Sequence, residues 1–207
     1  MDEITVEFAD LGIEASLLER LNSEVFNHDE AVDAVHGRKL PQDLGVPTVR
    51  YCVIRGLRHH LDFAVVNAST FEKGPAMFKK AVNARLIMSN KIPDMDGPED
   101  RPYCIWHPDL PSETALQKLV ERYPDMVYQV GRVCAFAGYN DLYKTLDILP
   151  EVAIAEEAQD RGNKAIFDLI MEKPVRWKVF YDYNVCMLDP KPANLNHDTV
   201  LYRSLAF

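Results

Sequence analysis

The sequence predicts a predominantly α-helical fold of stacked helical hairpins. Three observations carry that expectation. Apolar residues recur at a helical period through most of the chain. Two blocks 24 residues apart share one glycine-centred pattern. The 13 prolines against 9 glycines favour short elements with sharp stops. The alternative is an α+β fold with short strands near residues 3–8 and 175–187, where alternation competes with the helical stripe.

Taken in order, Glu3 to Phe8 alternates like a strand. The longer stripe Ile4, Phe8, Leu11, Ala15, Leu18, Leu21 and Val25 instead favours a helix from about Ile13 to Phe26. A short second helix carries Asp29, Asp33 and His36 on one face and stops at Gly37. Residues 38–47 are a loop broken by Pro41, Gly45 and Pro47. Thr48 to Ser69 holds no proline and keeps a helical period, with Gly56 expected to divide it in two. Another helix is expected over 75–89, followed by a polar, proline-rich loop over 90–111 that either separates an N-terminal half, 1–89, from a C-terminal half, 112–207, or joins them within one continuous domain. Ser112 reads as an N-cap with Glu113 in the first turn of a helix ending near Arg122. After Pro174, the stretch Trp177, Val179, Tyr181, Tyr183 and Val185 alternates like a strand. Trp177, Phe180, Tyr181, Val185 and Leu188 also fit a helix, and the helices before it tip the expectation to helix.

The blocks Cys134–Tyr143 and Ala158–Phe167 each place a small residue four before a glycine, then an aliphatic and an aromatic at plus four and plus five. Leu146 and Ile170 follow at plus eight, and Pro150 and Pro174 end the segments. Glycine ends a helix cheaply at positive φ, and a small residue one turn earlier lets the returning helix pack closely. Asn140 or Asn163 can then cap that second helix. One hairpin cannot bury its own apolar face, so hairpins stack. The stretch 134–148, and more weakly 155–171, resembles the second half of the ankyrin repeat. The likeness covers about residues 125–174, with an echo at 48–69 around Gly56. It departs from that family in carrying Gln129-Val130-Gly131-Arg132 where a standard repeat opens, and in its period of 24 rather than about 33. The tract is most similar to degenerate, stand-alone ankyrin-type proteins of filamentous fungi. The resemblance implies a short α-solenoid that binds other proteins.

Composition narrows the function classes. With 23 basic and 32 acidic residues the formal net charge is −9, which counts against nucleic-acid binding. Residues 1–33 hold ten acids and one base and so account for the whole imbalance; their acidic helix reads as a cap on the stack or as a docking segment for a basic partner. Nothing near the N-terminus resembles a signal peptide, since it has no basic n-region and no apolar h-region, and no run approaches the ~18–20 apolar residues of a membrane span. Cys52, Cys104, Cys134 and Cys186 lie far apart, form no C-x-x-C pair and have apolar neighbours; reduced, mostly buried thiols in a cytoplasmic protein are expected.

Four clusters merit weighing as chemistry. His59-His60 with Asp62 cannot chelate one metal from a single helix, since adjacent residues point ~100° apart. His60, at plus four from Gly56, serves either as a half-buried general base or as a core histidine satisfied by a backbone carbonyl. Trp106-His107-Pro108-Asp109 reads as a loop binding site, with His107 and Asp109 as an acid–base pair, or as an aromatic plug on the first hairpin. Asp29, Asp33 and His36 share a helical face that reads as a solvated surface before a cation site. Asp94-Met95-Asp96-Gly97 resembles part of a calcium loop, but that register puts Ile92 at the first ligand position and Tyr103 at the twelfth. No nucleophile elbow, phosphate loop, dinucleotide turn or zinc-protease helix is present, so neither a cofactor nor a metal is expected. The leading expectation is a cytosolic protein-interaction module whose contact surface centres on Gly56, Gly138, Gly162 and the 90–111 loop. Its rival is a small cofactor-free acid–base enzyme of isomerase, cyclase or dehydratase type, using His60 or His107 on a small-molecule ligand. A third reading, an acidic partner or inhibitor of a basic protein, rests on residues 1–33 alone.

Overall fold

The computed structural model describes residues 13–181 and 186–195; the candidate strand at 3–8 lies outside them. The described chain is mainly helical, with ten α-helices and two short strands. It divides into two compact units, Met1–Pro102 and Tyr103–Phe207, and the division falls inside the 90–111 loop.

In the first unit, α1 spans Ala15–Leu21, α2 His28–Val35, α3 Pro47–His59, α4 Leu61–Asn67 and α5 Ala76–Met88. Helix α1 is shorter than the apolar stripe implied, because Val25 and Phe26 lie exposed at 58% and 52% rather than continuing the packed face. The Asn27 side chain caps α2 by accepting from the amides of Asp29 and Glu30 at 3.0 and 3.2 Å. Gly37 follows at φ +65°, a conformation glycine reaches without strain.

Helix α3 starts on Pro47 and runs unbroken through Gly56 to His59. This corrects the expectation of a glycine turn at 56, and with it the basis of the ankyrin-like echo at 48–69. The glycine is there for contact: a Cβ on Gly56 would overlap the Ala34 carbonyl oxygen, so its absence lets α2 and α3 approach backbone to backbone. The break falls at His60, whose extended backbone (φ −124°, ψ 108°) separates α3 from α4. Phe71 and Phe78, both fully buried and stacked with centroids 4.3 Å apart, anchor the core that α3, α4 and α5 share. The segment after α5 is strapped back onto that helix: Lys79 Nζ lies 2.8 Å from the buried Asp100 carboxylate, and Asn83 donates to the Asp100 carbonyl at 2.9 Å.

In the second unit, α6 spans Glu113–Arg122, α7 Val127–Ala137, α8 Asn140–Thr145, α9 Val152–Asp160 and α10 Lys164–Met171. Ser112 caps α6, accepting from the Ala115 amide at 3.3 Å. The two glycine blocks form two helical hairpins, α7–α8 and α9–α10, turning at Gly138 (φ +80°) and Gly162 (φ +69°). At each turn the residue after the glycine donates back to the helix, Tyr139 to the Cys134 carbonyl at 3.1 Å and Asn163 to the Ala158 carbonyl at 2.8 Å. That closure satisfies carbonyls a helix end would otherwise leave open. Asn163 also caps α10 through the Ile166 amide at 3.3 Å. Asn140 does not cap; Tyr139 takes the N-cap position and Asn140 begins α8.

Helices α7 and α9 are the core of this unit, buried from Gln129 to Ala135 and from Val152 to Ala158. They meet at Gly131, where a Cβ would come within 2.8 Å of Ile154 Cδ1 and 3.1 Å of Ile148 Cδ1.

Beyond α10 the chain forms strands, which corrects the expected helix. Strand β1, Trp177–Tyr181, pairs antiparallel with β2, Cys186–Pro192, with Trp177 opposite Pro192 and Tyr181 opposite Cys186. The period-two signal prevailed because Pro190 and Pro192 cannot sit inside a helix, while an edge strand tolerates them. The pair is fastened to the start of α9 by the Trp177 amide on the Pro150 carbonyl at 2.8 Å, and Val179 is 2% exposed.

Candidate functional site

The second unit hides an unusual set of polar side chains. Gln129 and Arg132 on α7, with Glu151, Glu156 and Glu157 at the start of and along α9, are each at most 9% exposed. Glu151 caps α9, accepting from the Ile154 amide at 3.0 Å. Arg132 is the hub. Its guanidinium donates to Glu157 Oε2 at 3.2 Å and to the Tyr103 hydroxyl at 3.0 Å. It also lies 5.3 Å from the Trp106 ring centre and 5.9 Å from that of Tyr103. The two rings meet edge to face, 5.6 Å apart. An arginine suits this place because its planar cation both stacks on aromatics and bonds a carboxylate in its own plane.

The network runs outward through Glu157. Its other oxygen, Oε1, accepts from Arg161 Nε at 3.5 Å, and the Arg161 guanidinium stacks on Phe136 with its central carbon 3.6 Å from the ring centre. One carboxylate therefore serves a buried and an exposed arginine. Arg161 sits beside Gly162, and the second turn is tied to the first hairpin by Asn163 Nδ2 donating to the Ala135 carbonyl at 3.2 Å. The two turns form an exposed rim, and a Cβ on either glycine would meet nothing within 4 Å.

Below the rim, burial dominates the chemistry. The Cys134 thiol is pushed up to about 12, first by desolvation and then by the nearby Glu113 charge, so it stays protonated and inert. Tyr143 is shifted upward for the same first reason, with Glu151 the next cause. Cys52, Cys104 and Cys134 are free thiols, and of these only Cys134 is fully buried.

The candidate residues read from sequence fall in different units. His60 lies in the first, half-buried, with Nε2 3.2 Å from the Val35 carbonyl and its ring against Gly37. That contact engages one ring nitrogen in holding the end of α2. His107 lies half-buried and Asp109 exposed in the second unit, in the loop before α6. Their neighbour Trp106 is 8% exposed and packs on Arg132 rather than offering a free aromatic face. On α2, Asp33 pairs with Arg38 at 3.3 Å and Asp29 contacts His28 at 3.3 Å. Among the described residues no group of three or more His, Cys, Asp or Glu is placed to hold a metal ion. Gly56, expected on the contact surface, is buried inside α3.

The Arg132–Glu157 pair was not singled out in the sequence. Arg132 was noted only as part of the tetrad replacing a standard repeat opening, and Glu157 not at all. Arg132, the one charged residue in the largely apolar stretch 127–137, was the available signal.

Residues 106–203 match the family model described as the YKP1 C-terminal domain. The chain is 23% identical over 132 residues to Uncharacterized killer plasmid pGKl-2 protein 1 of Kluyveromyces lactis, a match covering 64% of this chain and 58% of that protein. It is 28% identical over 92 residues to the RF4 protein of the same organism, covering 44% of this chain and 21% of that protein. The chain thus spans less than two thirds of either relative. No solved structure matches it significantly. The family match begins three residues after the start of the second unit and lies wholly within it, so the unit built on the Arg132 hub is the part with recorded likeness to a family.

Proposed function

We propose that the second unit is a protein-interaction module of ankyrin-like build, acting in the cytoplasm, with the rim of glycine turns as its contact surface. The observation that carries this reading is the pairing of the two turns. They are held side by side by the Asn163–Ala135 bond, open at both glycines, and stand on α7 and α9, which are buried from Gln129 to Ala135 and from Val152 to Ala158. A rigid base with an exposed rim suits recognition, because few side chains lose freedom on binding. The buried polar groups support the same reading. Arg132 bonds Glu157 and Tyr103 and stacks on Trp106, contacts that join α7, α9 and the loop before α6 as a scaffold requires. Among the described residues no helix is long and apolar enough to cross a membrane.

Site-specific photo-crosslinking in the native host tests the proposal. A photoreactive residue at exposed Ala165, beside the rim, should give one discrete adduct with another protein. The same residue at exposed Thr114 on α6 should give none. Equal, diffuse labelling from both positions would defeat the reading.

A further inference from the structure

The rim carries one side chain already set for a particular kind of partner. Arg161 is half-exposed at 49%, yet its guanidinium is fixed on two sides, by the Phe136 ring beneath and by Glu157 in its plane at Nε. Its terminal amino groups donate to nothing among the described residues. Beside it the Gly162 turn is open, as is the Gly138 turn of the neighbouring hairpin, so another chain can come to backbone distance. We propose that Arg161 is the anchor for a carboxylate on an acidic segment of a partner protein, an inference that rests on the rim being a contact surface.

The chemistry selects a carboxylate over other anions. With Nε taken by Glu157, the free edge of the guanidinium presents two parallel donors, the geometry a carboxylate accepts in bidentate fashion. The neighbouring Asp160 and the shared Glu157 disfavour a doubly charged phosphate more than a singly charged carboxylate. Lys164 pairs with Asp168 at 2.6 Å, whereas the guanidinium of Arg161 keeps its terminal edge directed away from its Glu157 contact at Nε. Because stacking and the Glu157 bond already hold the fork in place, little side-chain freedom remains to be lost on binding.

The test uses the full chain, isotope-labelled, with acetylated hexaglutamate peptide as the probe and inorganic phosphate and hexaglutamine as controls, all at low salt. NMR titration should show saturable shifts of the Arg161 Nε–H signal and of the Gly162 and Gly138 amides with hexaglutamate alone. Arg161→Lys should weaken that binding at least fivefold while leaving the other amide signals in place, since lysine keeps the charge but neither stacks nor forks. Shifts spread over the surface, equal binding by Arg161→Lys, or stronger binding of phosphate at the same signals would each overturn the proposal. Crosslinking from Ala165 that survives Arg161→Lys undiminished would overturn the acidic-partner inference and leave the rim standing. Loss of crosslinking from Ala165 in the unaltered chain would take the rim reading down independently of the peptide result.

Discussion

Replacing Arg132 with methionine tests whether the buried hub holds the second unit together. Methionine keeps most of the unbranched stem, so the change removes charge and donors rather than volume. Three losses follow. Glu157 loses its partner at 3.2 Å, the Tyr103 hydroxyl loses its donor at 3.0 Å, and two aromatic rings lose a cation at 5.3 and 5.9 Å. Breaking one side of a buried pair costs about 3–5 kcal/mol. Here the figure belongs at the low end, because Arg161 Nε still contacts the other Glu157 oxygen. A cost of about 3 kcal/mol is expected for Arg132→Met. With a urea dependence of ~2 kcal/mol/M, that lowers the midpoint by about 1.5 M. Urea unfolding should be followed in parallel by far-UV circular dichroism and by the fluorescence of Trp106. The background should be Trp177→Phe, since these are the 2 tryptophans of the chain. The double variant Arg132→Met with Glu157→Met should recover most of the loss, because an apolar pair replaces an ion pair without leaving a stranded charge. A single-variant cost under about 1 kcal/mol, or a double variant less stable than the single, would refute the reasoning.

Gly56→Ala should destabilise the first unit by about 2 kcal/mol in thermal unfolding, since steric overlap with the Ala34 carbonyl outweighs the ~1 kcal/mol that alanine gains in a helix. Cys134 should resist iodoacetamide at pH 8 by about three orders of magnitude relative to an ordinary thiol and react only on unfolding, as mass spectrometry of the labelled peptide would show. Its raised pKa also fixes a sign: the unfolded chain releases this proton first, so the stability held below about pH 9 drains away as pH rises toward about 12, and Cys134→Ala should flatten that decline. Gly138→Ala should cost about 1 kcal/mol through its φ of +80° while Gly138→Asn costs less, because there is open space for either side chain and the backbone alone decides.

Much of the fold was legible because it rests on local chemistry. Ser112, Gly138, Gly162 and Asn163 announce helix ends through capping and positive φ, and each does so in the structure. Gly56 shows the limit of that reasoning. The same residue type serves a turn at 138 and a helix crossing at 56, and what separates them is the Ala34 carbonyl, 22 positions away in sequence. The misread end of the chain has a similar cause. Aromatics at 177–181 satisfy both periods over so short a span, and the prolines at 190 and 192, which decide the matter, lie on the partner strand. The hub was hidden for a third reason. Tyr103, Trp106, Arg132 and Glu157 are spread over 55 positions, and no local pattern announces that the arginine of one helix will face Glu157, rather than Glu156 or Asp160, of another.

That dispersion also has an energetic side. A polar cluster assembled from a loop and two helices is costly to keep, since Arg132 and Glu157 both give up hydration of their charges. Removing Arg132 leaves Glu157 and the Tyr103 hydroxyl without that donor. An apolar replacement of the whole set would hold the helices as well, but would leave Arg161 without the carboxylate that aims it. The buried pair is thus most economically understood from the surface inward. Glu157 orients an exposed arginine, Arg132 neutralises the carboxylate that does so, and Trp106 and Tyr103 shield that arginine from water. The polar core beneath the Gly162 turn thus sets the position of the exposed Arg161 guanidinium through Glu157.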